Sequence, residues 1–253
     1  MRNDGFKEEY ETRRGDEHEI LRCLVGSQAY GTSINTPEYT SDQDFKGIYV
    51  SPENEVIGIT REKETRRFSP DDHSYSLRHF ARLAAKCVPN VLELLFCEAE
   101  AVVHCTKEGQ LLRDNKLLFL SQNCINPYVG YAQGQLEKSA KVPTNRGIGR
   151  QEIVAKYSYD TKFAMHTIRL LQTAEELLRD GVLKVKRPNR DFLLDIRFGR
   201  AFNGYDDFKN YAQNLIEKIR KLEHNNSLPE KPDMKLINEL IIGIQKSYWA
   251  NYK

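Results

Sequence analysis

The sequence has few cysteines and no long apolar run, and these two shortages exclude several classes of protein. Its five cysteines include no C-x-x-C pair, so neither a disulfide framework nor a zinc site is indicated, and we expect reduced thiols. No uninterrupted apolar stretch approaches the ~20 residues that a membrane helix needs. The amino-terminal residues MRNDGFKEEYETRRGDEHE are too polar for a signal peptide. We therefore expect a soluble protein of the cytoplasm, with no membrane partner.

An excess of charge of one sign is also missing. The 38 Lys and Arg residues nearly balance the 36 Asp and Glu residues, which leaves a formal net charge of +2. A surface for nucleic acid would therefore have to come from local clustering of basic residues. The 253 residues are enough for one large domain or two modest ones.

The apolar pattern divides the chain into a mixed half and a helical half. Short apolar runs at residues 21–25 and 45–50 are typical of strands. We predict a charged loop at residues 61–71 and a strand that leads into a helix at residues 73–77. Helical spacing predominates from about residue 107, with segments expected at 107–115, 125–140, 151–180, 206–224 and 233–251. We predict an α/β (α+β) fold with a mixed sheet in residues 1–106 and a helical domain in residues 107–253 that contributes to a cleft.

The loop between the first two predicted strands, GSQAYGTSINTPEYTSDQDF, carries the most informative residues. Gly26 and Ser27 follow the first strand, where backbone N–H groups commonly turn toward a phosphate. Asp42 and Asp44 head the second strand, and alternate residues of a strand share one face. Two carboxylates held together repel each other unless a cation joins them. A Gly-Ser pair or a D-x-D alone is usually an ordinary turn, but the combination predicts a metal-dependent phosphate chemistry.

The same stretch resembles the DNA polymerase beta-like nucleotidyltransferase superfamily, which shows a strand, a short helix that opens with Gly-Ser, and a strand that carries D-x-D. The longer match GSQAYGT…SDQDFKGI resembles one branch, the bacterial and phage predicted nucleotidyltransferases associated with RNA repair. PNVLELLF (89–96) and KFAMHTIRLLQTAEELLRDGVL (162–183) also fit that branch, so the resemblance spans roughly residues 20–200. The segment between Gly31 and Asp42 is several residues longer than the branch pattern.

The resemblance implies a site with two divalent ions, Mg²⁺ or Mn²⁺, and a nucleoside triphosphate (NTP) as substrate. Asp42 and Asp44 would bind both metals, and Gly26 and Ser27 would hold the triphosphate. Mg²⁺ prefers oxygen ligands, and two ions serve the attacking and leaving oxygens of an in-line displacement. The superfamily uses a third carboxylate, for which SPDDHSYSL offers Asp72 by motif position and Asp71 as the alternative. Tyr30 belongs to the same turn, either as a packing residue or as a nucleotide contact.

One helix of the second half displays a basic set on one side. Lys162, His166 and Arg169 are spaced by four and three residues, which puts them on one helical face. The apolar residues expected to face the core lie on a different side: Phe163, Leu170, Ala174, Leu177 and Leu178. The three residues match the K-x-x-x-H-x-x-R-L-L pattern of the branch. They are therefore candidates to bind the β- and γ-phosphates, whereas the alternative is an ordinary solvated face.

A second basic feature is the run KVKRPNRDFLLDIRFGR, residues 184–200. It holds six Lys and Arg residues against two Asp, with Phe192 and Phe198 interleaved. Such a run is able to follow a nucleic-acid backbone while aromatic rings stack on bases. The competing interpretation is an ordinary surface in which Phe192, Leu193, Leu194 and Ile196 are buried.

The resemblance implies a metal-dependent nucleotidyltransferase of the EC 2.7.7 type, using ATP or another NTP. It would add a nucleoside monophosphate to an RNA 3′ end during RNA repair in the cytoplasm of a bacterial or phage-infected cell. Two other readings remain open: transfer to a protein or small-molecule hydroxyl, and a nucleotide- or RNA-binding module without turnover. All the carboxylates required for activity are present, which favours an enzyme. The sequence does not identify the NTP, the acceptor or the oligomeric state.

Overall fold

A computed structural model of the chain describes residues 18–37, 40–59, 61–140, 148–223 and 225–251. These residues form two compact units. The first unit contains the described residues of Met1–Leu120 and Pro232–Lys253, and the second contains those of Ser121–Lys231. The first unit thus extends past the predicted boundary at residue 106 and takes in the last helix, because that helix packs on earlier helices of the same unit.

The first unit is built on a mixed five-stranded sheet. Its strands are β1 (Glu19–Val25), β2 (Asp44–Tyr49), β3 (Thr65–Ser69), β4 (Asp72–Ser76) and β5 (Val102–Cys105), in the spatial order β3-β4-β2-β1-β5. β2 and β4 run parallel, whereas the other neighbouring pairs are antiparallel. The mixed sheet and the helical region that follows it confirm the predicted fold class.

Helices connect the strands of the first unit and make up most of the second, and several short 3₁₀ turns lie between them. In chain order they are α1 (Gly26–Tyr30), α2 (Glu53–Ile57), α3 (Leu77–Ala85), α4 (Pro89–Leu92), α5 (Lys107–Asp114), α6 (Ile125–Ser139), α7 (Ile148–Tyr157), α8 (Thr161–Asp180), α9 (Arg190–Arg197), α10 (Tyr205–Leu222) and α11 (Met234–Asn251). None of the helices in the described ranges is both long and apolar enough to cross a bilayer.

The last helix completes the first unit. α11 packs on α3 and α5, and it buries Ile237, Ile241 and Ile244. Polar contacts fix its position, because the Trp249 indole N–H donates to the Ser51 carbonyl at 3.0 Å. An apolar face that recurs every three to four residues is what a helix needs in order to pack on a core.

The second unit is organised around α8, against which α6, α9 and α10 pack. Asp160 caps the start of α8, since its Oδ1 accepts the backbone N–H groups of Lys162 and Phe163 at 2.9 and 3.2 Å. Gly181 ends the helix in the left-handed conformation with φ of 67°. The predicted 151–180 helix is therefore two helices, because the chain turns at Ser158, with φ of 65°, just before this cap.

Two further predictions need correction. Residues 65–69 of the expected 61–71 loop form β3, an edge strand, and charged residues are common on edge strands because they discourage pairing with other chains. The prediction of reduced thiols holds for Cys23, Cys97 and Cys105, which are free. It is wrong for Cys87 and Cys124, which are disulfide-bonded.

Candidate active site

The Gly-Ser turn lies directly against the D-x-D strand. β1 ends at Val25, which is paired with Asp44 in the antiparallel register, and Gly26 then opens α1 with φ of 63°. A Cβ on Gly26 would lie 2.5 Å from Asp44 Oδ2, which is closer than real contacts allow. Glycine is therefore required at this position for two reasons: its backbone conformation and the close approach of the carboxylate. The structure brings Gly26 and Asp44 together, as the sequence predicted.

Asp44 begins β2 and is half-buried, whereas Asp42 lies before the strand and is exposed. Lys46 follows two residues later and lies on the same face of the sheet as Asp44, since side chains alternate along a strand. Burial lowers the pKa of Lys46, while the negative charges of Glu93 and Asp44 act in the opposite direction. The Lys46 ammonium therefore lies on the same sheet face as Asp44 and interacts with the carboxylates of Glu93 and Asp44.

Asp72 does not join Asp44. In the parallel pairing of β2 with β4, Asp72 is opposite Phe45, so its side chain lies on the Phe45 face and not on the Asp44 face. There Asp72 Oδ2 accepts Arg22 Nη2 at 2.6 Å. Arg22 Nη1 also donates to Glu19 Oε1 at 3.0 Å. The expected grouping of Asp42, Asp44 and Asp72 is therefore not formed, because the register of one residue decides the face.

Asp71 is exposed and directly precedes β4, in the turn that follows β3. The Phe45 N–H donates to the Asp71 carbonyl at 2.8 Å, so the backbone of Asp71 lies next to the start of β2. The alternation of β4, continued back by one residue, would put the Asp71 side chain on the Asp44 face. Asp71 is therefore the better candidate of the two for a third carboxylate, and that role stays a prediction.

The donor set at the ends of β2 and β4 suits a hard divalent cation, because carboxylate oxygens are the ligands that Mg²⁺ prefers. The absence of a Cβ at Gly26 also lets the backbone of the turn approach the Asp44 carboxylate closely. Within the described ranges, no three His, Cys, Asp or Glu side chains already form a ligating group. The residues suit a divalent cation in donor type, and the metal, its ligands and the number of ions stay predictions.

The predicted phosphate-binding set is on α8 in the second unit. Lys162 and His166 are half-buried, but Arg169 is only 5% exposed. The alternative of an ordinary solvated face is therefore wrong for Arg169. Four of the five residues expected in the core are buried, namely Leu170, Ala174, Leu177 and Leu178, and Phe163 is half-buried. The role of the set in nucleotide binding stays a prediction.

The basic run at residues 184–200 is largely neutralised by its own neighbours. Arg187 is buried and pairs with Glu176 at 2.6 Å, while Arg200 pairs with Asp195 at 2.7 Å. Lys184 and Arg190 pair with nearby acidic residues at 3.5 and 3.3 Å. Three of the four apolar residues follow the competing interpretation, since Leu193, Leu194 and Ile196 are buried in α9, whereas Phe192 is half-buried. These contacts favour a structural surface over a track for nucleic acid.

Sequence reasoning overlooked Glu93, a buried carboxylate close to the site. Its Oε2 accepts the Tyr30 hydroxyl at 2.7 Å, which connects it to the last residue of α1. Tyr30 is itself buried, so this contact supports the packing alternative for that residue. The sequence contained one sign of Glu93, an acidic residue within the apolar stretch PNVLELLF. A carboxylate in a segment that is otherwise buried usually has a specific partner.

Comparisons with known proteins identify the family of the chain. The family model RlaP, the RNA repair pathway DNA polymerase beta family, matches residues 6–243. A protein of Enterobacteria phage T4, described as "Uncharacterized 38.9 kDa protein in nrdC-mobD intergenic region", is 35% identical over an alignment of 132 residues that covers 47% of this chain. The match covers 38% of the length of the phage protein. No solved structure matches the chain significantly. The resemblance drawn from the Gly-Ser and D-x-D motifs is confirmed: the chain belongs to the RNA repair pathway DNA polymerase beta family.

Proposed function

We propose that the protein is a metal-dependent nucleotidyltransferase that adds a nucleoside monophosphate from an NTP to the 3′ end of an RNA. Family membership supports a nucleotidyltransferase-like role connected with RNA repair. The observation that carries the proposal is the close approach of the Gly26 backbone to the Asp44 carboxylate. This approach joins the turn suited to phosphate with the carboxylate suited to a cation.

In this reaction the RNA 3′-hydroxyl oxygen forms a bond to the α-phosphorus of the NTP. The bond from that phosphorus to the bridging oxygen breaks, and pyrophosphate leaves as the hydroxyl loses its proton. Asp42, Asp44 and Asp71 would hold Mg²⁺ or Mn²⁺, which neutralises charge on the phosphates and lowers the pKa of the attacking hydroxyl. Gly26 and Ser27 would orient the triphosphate by their backbone N–H groups.

The third carboxylate in this proposal is Asp71, a change from the first choice of Asp72. Support comes from the backbone bond between Phe45 and Asp71 and from the register of β2 with β4, which puts Asp72 on the face opposite to Asp44. The ion pair with Arg22 gives Asp72 a structural partner on the other face. Lys162 and His166 of α8 remain candidates for contacts to the β- and γ-phosphates.

The direct test is incubation of the purified protein with α-labelled ATP, CTP, GTP or UTP, Mg²⁺ or Mn²⁺, and a mixed RNA pool. We expect label on RNA, and its loss when periodate oxidation has removed the 3′-hydroxyl. Asp44→Asn serves as the matched inactive control. Label on the protein or on a small molecule instead would change the acceptor. No transfer with any NTP and metal would overturn the proposal in favour of a binding module.

A further inference from the structure

Residues 89–96, which we call the Pro89–Phe96 segment, contact the elements that carry the proposed site. The Lys46 ammonium on β2 donates to the Asn90 carbonyl at 3.2 Å. The Cys23 thiol on β1 donates to the Leu94 carbonyl at 3.8 Å. One short segment thus touches the strand before the Gly-Ser turn and the strand that begins with Asp44.

The third contact reaches the turn itself. The Tyr30 hydroxyl at the end of α1 donates to Glu93 Oε2 at 2.7 Å, and the two residues are 6% and 5% exposed. α1 has only five residues, and Val25 at its start makes no side-chain capping bond. A helix of this length is not stable by itself, so its orientation depends on tertiary contacts. The Tyr30–Glu93 bond is such a contact, one helical turn away from Gly26.

The hydrogen-bonded pair of Tyr30 and Glu93 is an unusual way to fill a buried space. A buried carboxylate is costly unless it is hydrogen-bonded and near a positive charge. Glu93 meets both conditions. The Tyr30 hydroxyl donates a hydrogen bond to it, and the positive charge of Lys46 is near enough to be stabilised by its negative charge. Two apolar side chains of the same size would fill the space at lower cost, but they would permit α1 to slide or rotate. A directional bond fixes its orientation.

We propose that Glu93 is a positioning residue for nucleotide binding. By accepting the Tyr30 hydroxyl, it holds α1 so that the Gly26–Ser27 backbone faces the triphosphate beside Asp44. This inference rests on the proposed function, because it assigns Glu93 a part in the same site.

The test is titration calorimetry of Tyr30→Phe, Glu93→Leu and Glu93→Gln with ATP, CTP, GTP and UTP in the presence of Mg²⁺. All titrations are done well below the melting midpoint of each variant, so that only folded protein is compared. We expect Tyr30→Phe and Glu93→Leu to raise the Kd of the NTP that the wild type binds about fivefold to tenfold. Glu93→Gln keeps an oxygen acceptor for Tyr30 and should recover most of the affinity.

Two further readouts separate positioning from simple stability. The Kd of the matching NMP should stay unchanged, because an NMP lacks the phosphates that the turn is proposed to bind. The loss should appear mainly in KM for the NTP rather than in kcat. The double variant of Tyr30→Phe with Glu93→Leu should bind the NTP no more weakly than the single variant with the lower affinity, since both substitutions remove the same hydrogen bond.

The chain offers a matched control in Tyr248, which is also 6% exposed and in the same unit. Its hydroxyl shares a 2.9 Å hydrogen bond with His18 Nδ1. Tyr248→Phe should lose stability like Tyr30→Phe but keep the NTP Kd. An unchanged Kd in Tyr30→Phe, or an equal loss in Tyr248→Phe, overturns the inference while the proposed function stands. If the wild type neither binds nor transfers any NTP, the proposed function and the inference fail together.

Discussion

Arg22 Nη2 lies 2.6 Å from Asp72 Oδ2, and this buried ion pair lies on the sheet face opposite to Asp44. Arg22 also pairs with Glu19, and the Ser74 hydroxyl donates to the same Glu19 carboxylate. Removing one partner of a buried pair leaves an uncompensated charge, which is more costly than the net value of the pair. Asp72 therefore has a clear structural task.

The first prediction concerns Asp72. Asp72→Asn removes one of the two anionic partners of the buried Arg22 guanidinium while Glu19 remains, so we expect the free energy of unfolding to fall by about 1–3 kcal/mol. Nucleotidyl transfer per folded molecule should stay within a few-fold of wild type. Urea unfolding and an activity assay at low temperature check this. Full stability together with lost transfer would return the metal role to Asp72.

The second prediction concerns Asp71, whose carbonyl accepts the N–H of Phe45, the residue after Asp44. Asp71→Asn removes an exposed charge, so we expect an almost unchanged melting midpoint and transfer reduced by at least a hundredfold. The measurement compares single-turnover rates at saturating Mg²⁺ with a melting curve. Asp72→Asn is the matched control, because it changes the adjacent residue in the same way. Wild-type rates in Asp71→Asn would exclude it as the third ligand.

The third prediction concerns the first metal carboxylate. Asp44→Asn keeps the size of the side chain beside Gly26 but removes the charge proposed to bind the cation. We expect transfer to be almost completely lost while the fold is retained. Calorimetric titration with Mn²⁺ provides a second readout, in which the variant should bind more weakly than wild type. Activity within a few-fold of wild type would contradict the metal assignment.

The fourth prediction separates the members of the basic set on α8. Arg169 is buried, so Arg169→Ala should lower the melting midpoint whether or not it contacts nucleotide. Lys162 is half-buried and makes the cleaner test. If it binds the β- or γ-phosphate, Lys162→Gln weakens NTP binding, leaves NMP binding unchanged and keeps the midpoint. Equal affinity of Lys162→Gln and wild type for NTP would remove this residue from the site.

The fifth prediction concerns the basic run. Lys184 and Arg190 already pair with neighbouring acidic residues, so Lys184→Gln and Arg190→Gln should leave RNA affinity within about twofold. The check is the slope of log Kd for single-stranded RNA against log salt concentration. Each lost phosphate contact changes that slope by about 0.7. A change of that size in either variant would restore the run as an RNA-binding surface.

Much of the fold was predictable because apolar periodicity reports which face of an element is buried. The strands around the Gly-Ser and D-x-D motifs and the long helices follow from it. β3 was missed because an edge strand such as Thr65–Ser69 has one side without a strand neighbour and shows no apolar run. The choice between Asp71 and Asp72 was not decidable, since a register shift of one residue exchanges the two faces. Nor does spacing on a helix show whether Arg169 is buried.

The chain order of the two units has a consequence for synthesis. α11 belongs to the first unit, although all of the second unit precedes it in sequence. Domains generally fold as units when their residues have emerged from the ribosome. The second unit therefore has all its helices available while the first still lacks the partner of α3 and α5. The unit that carries Gly26 and Asp44 therefore gains the helix that packs on α3 and α5 only after residues 234–251 have emerged, later than every helix of the second unit.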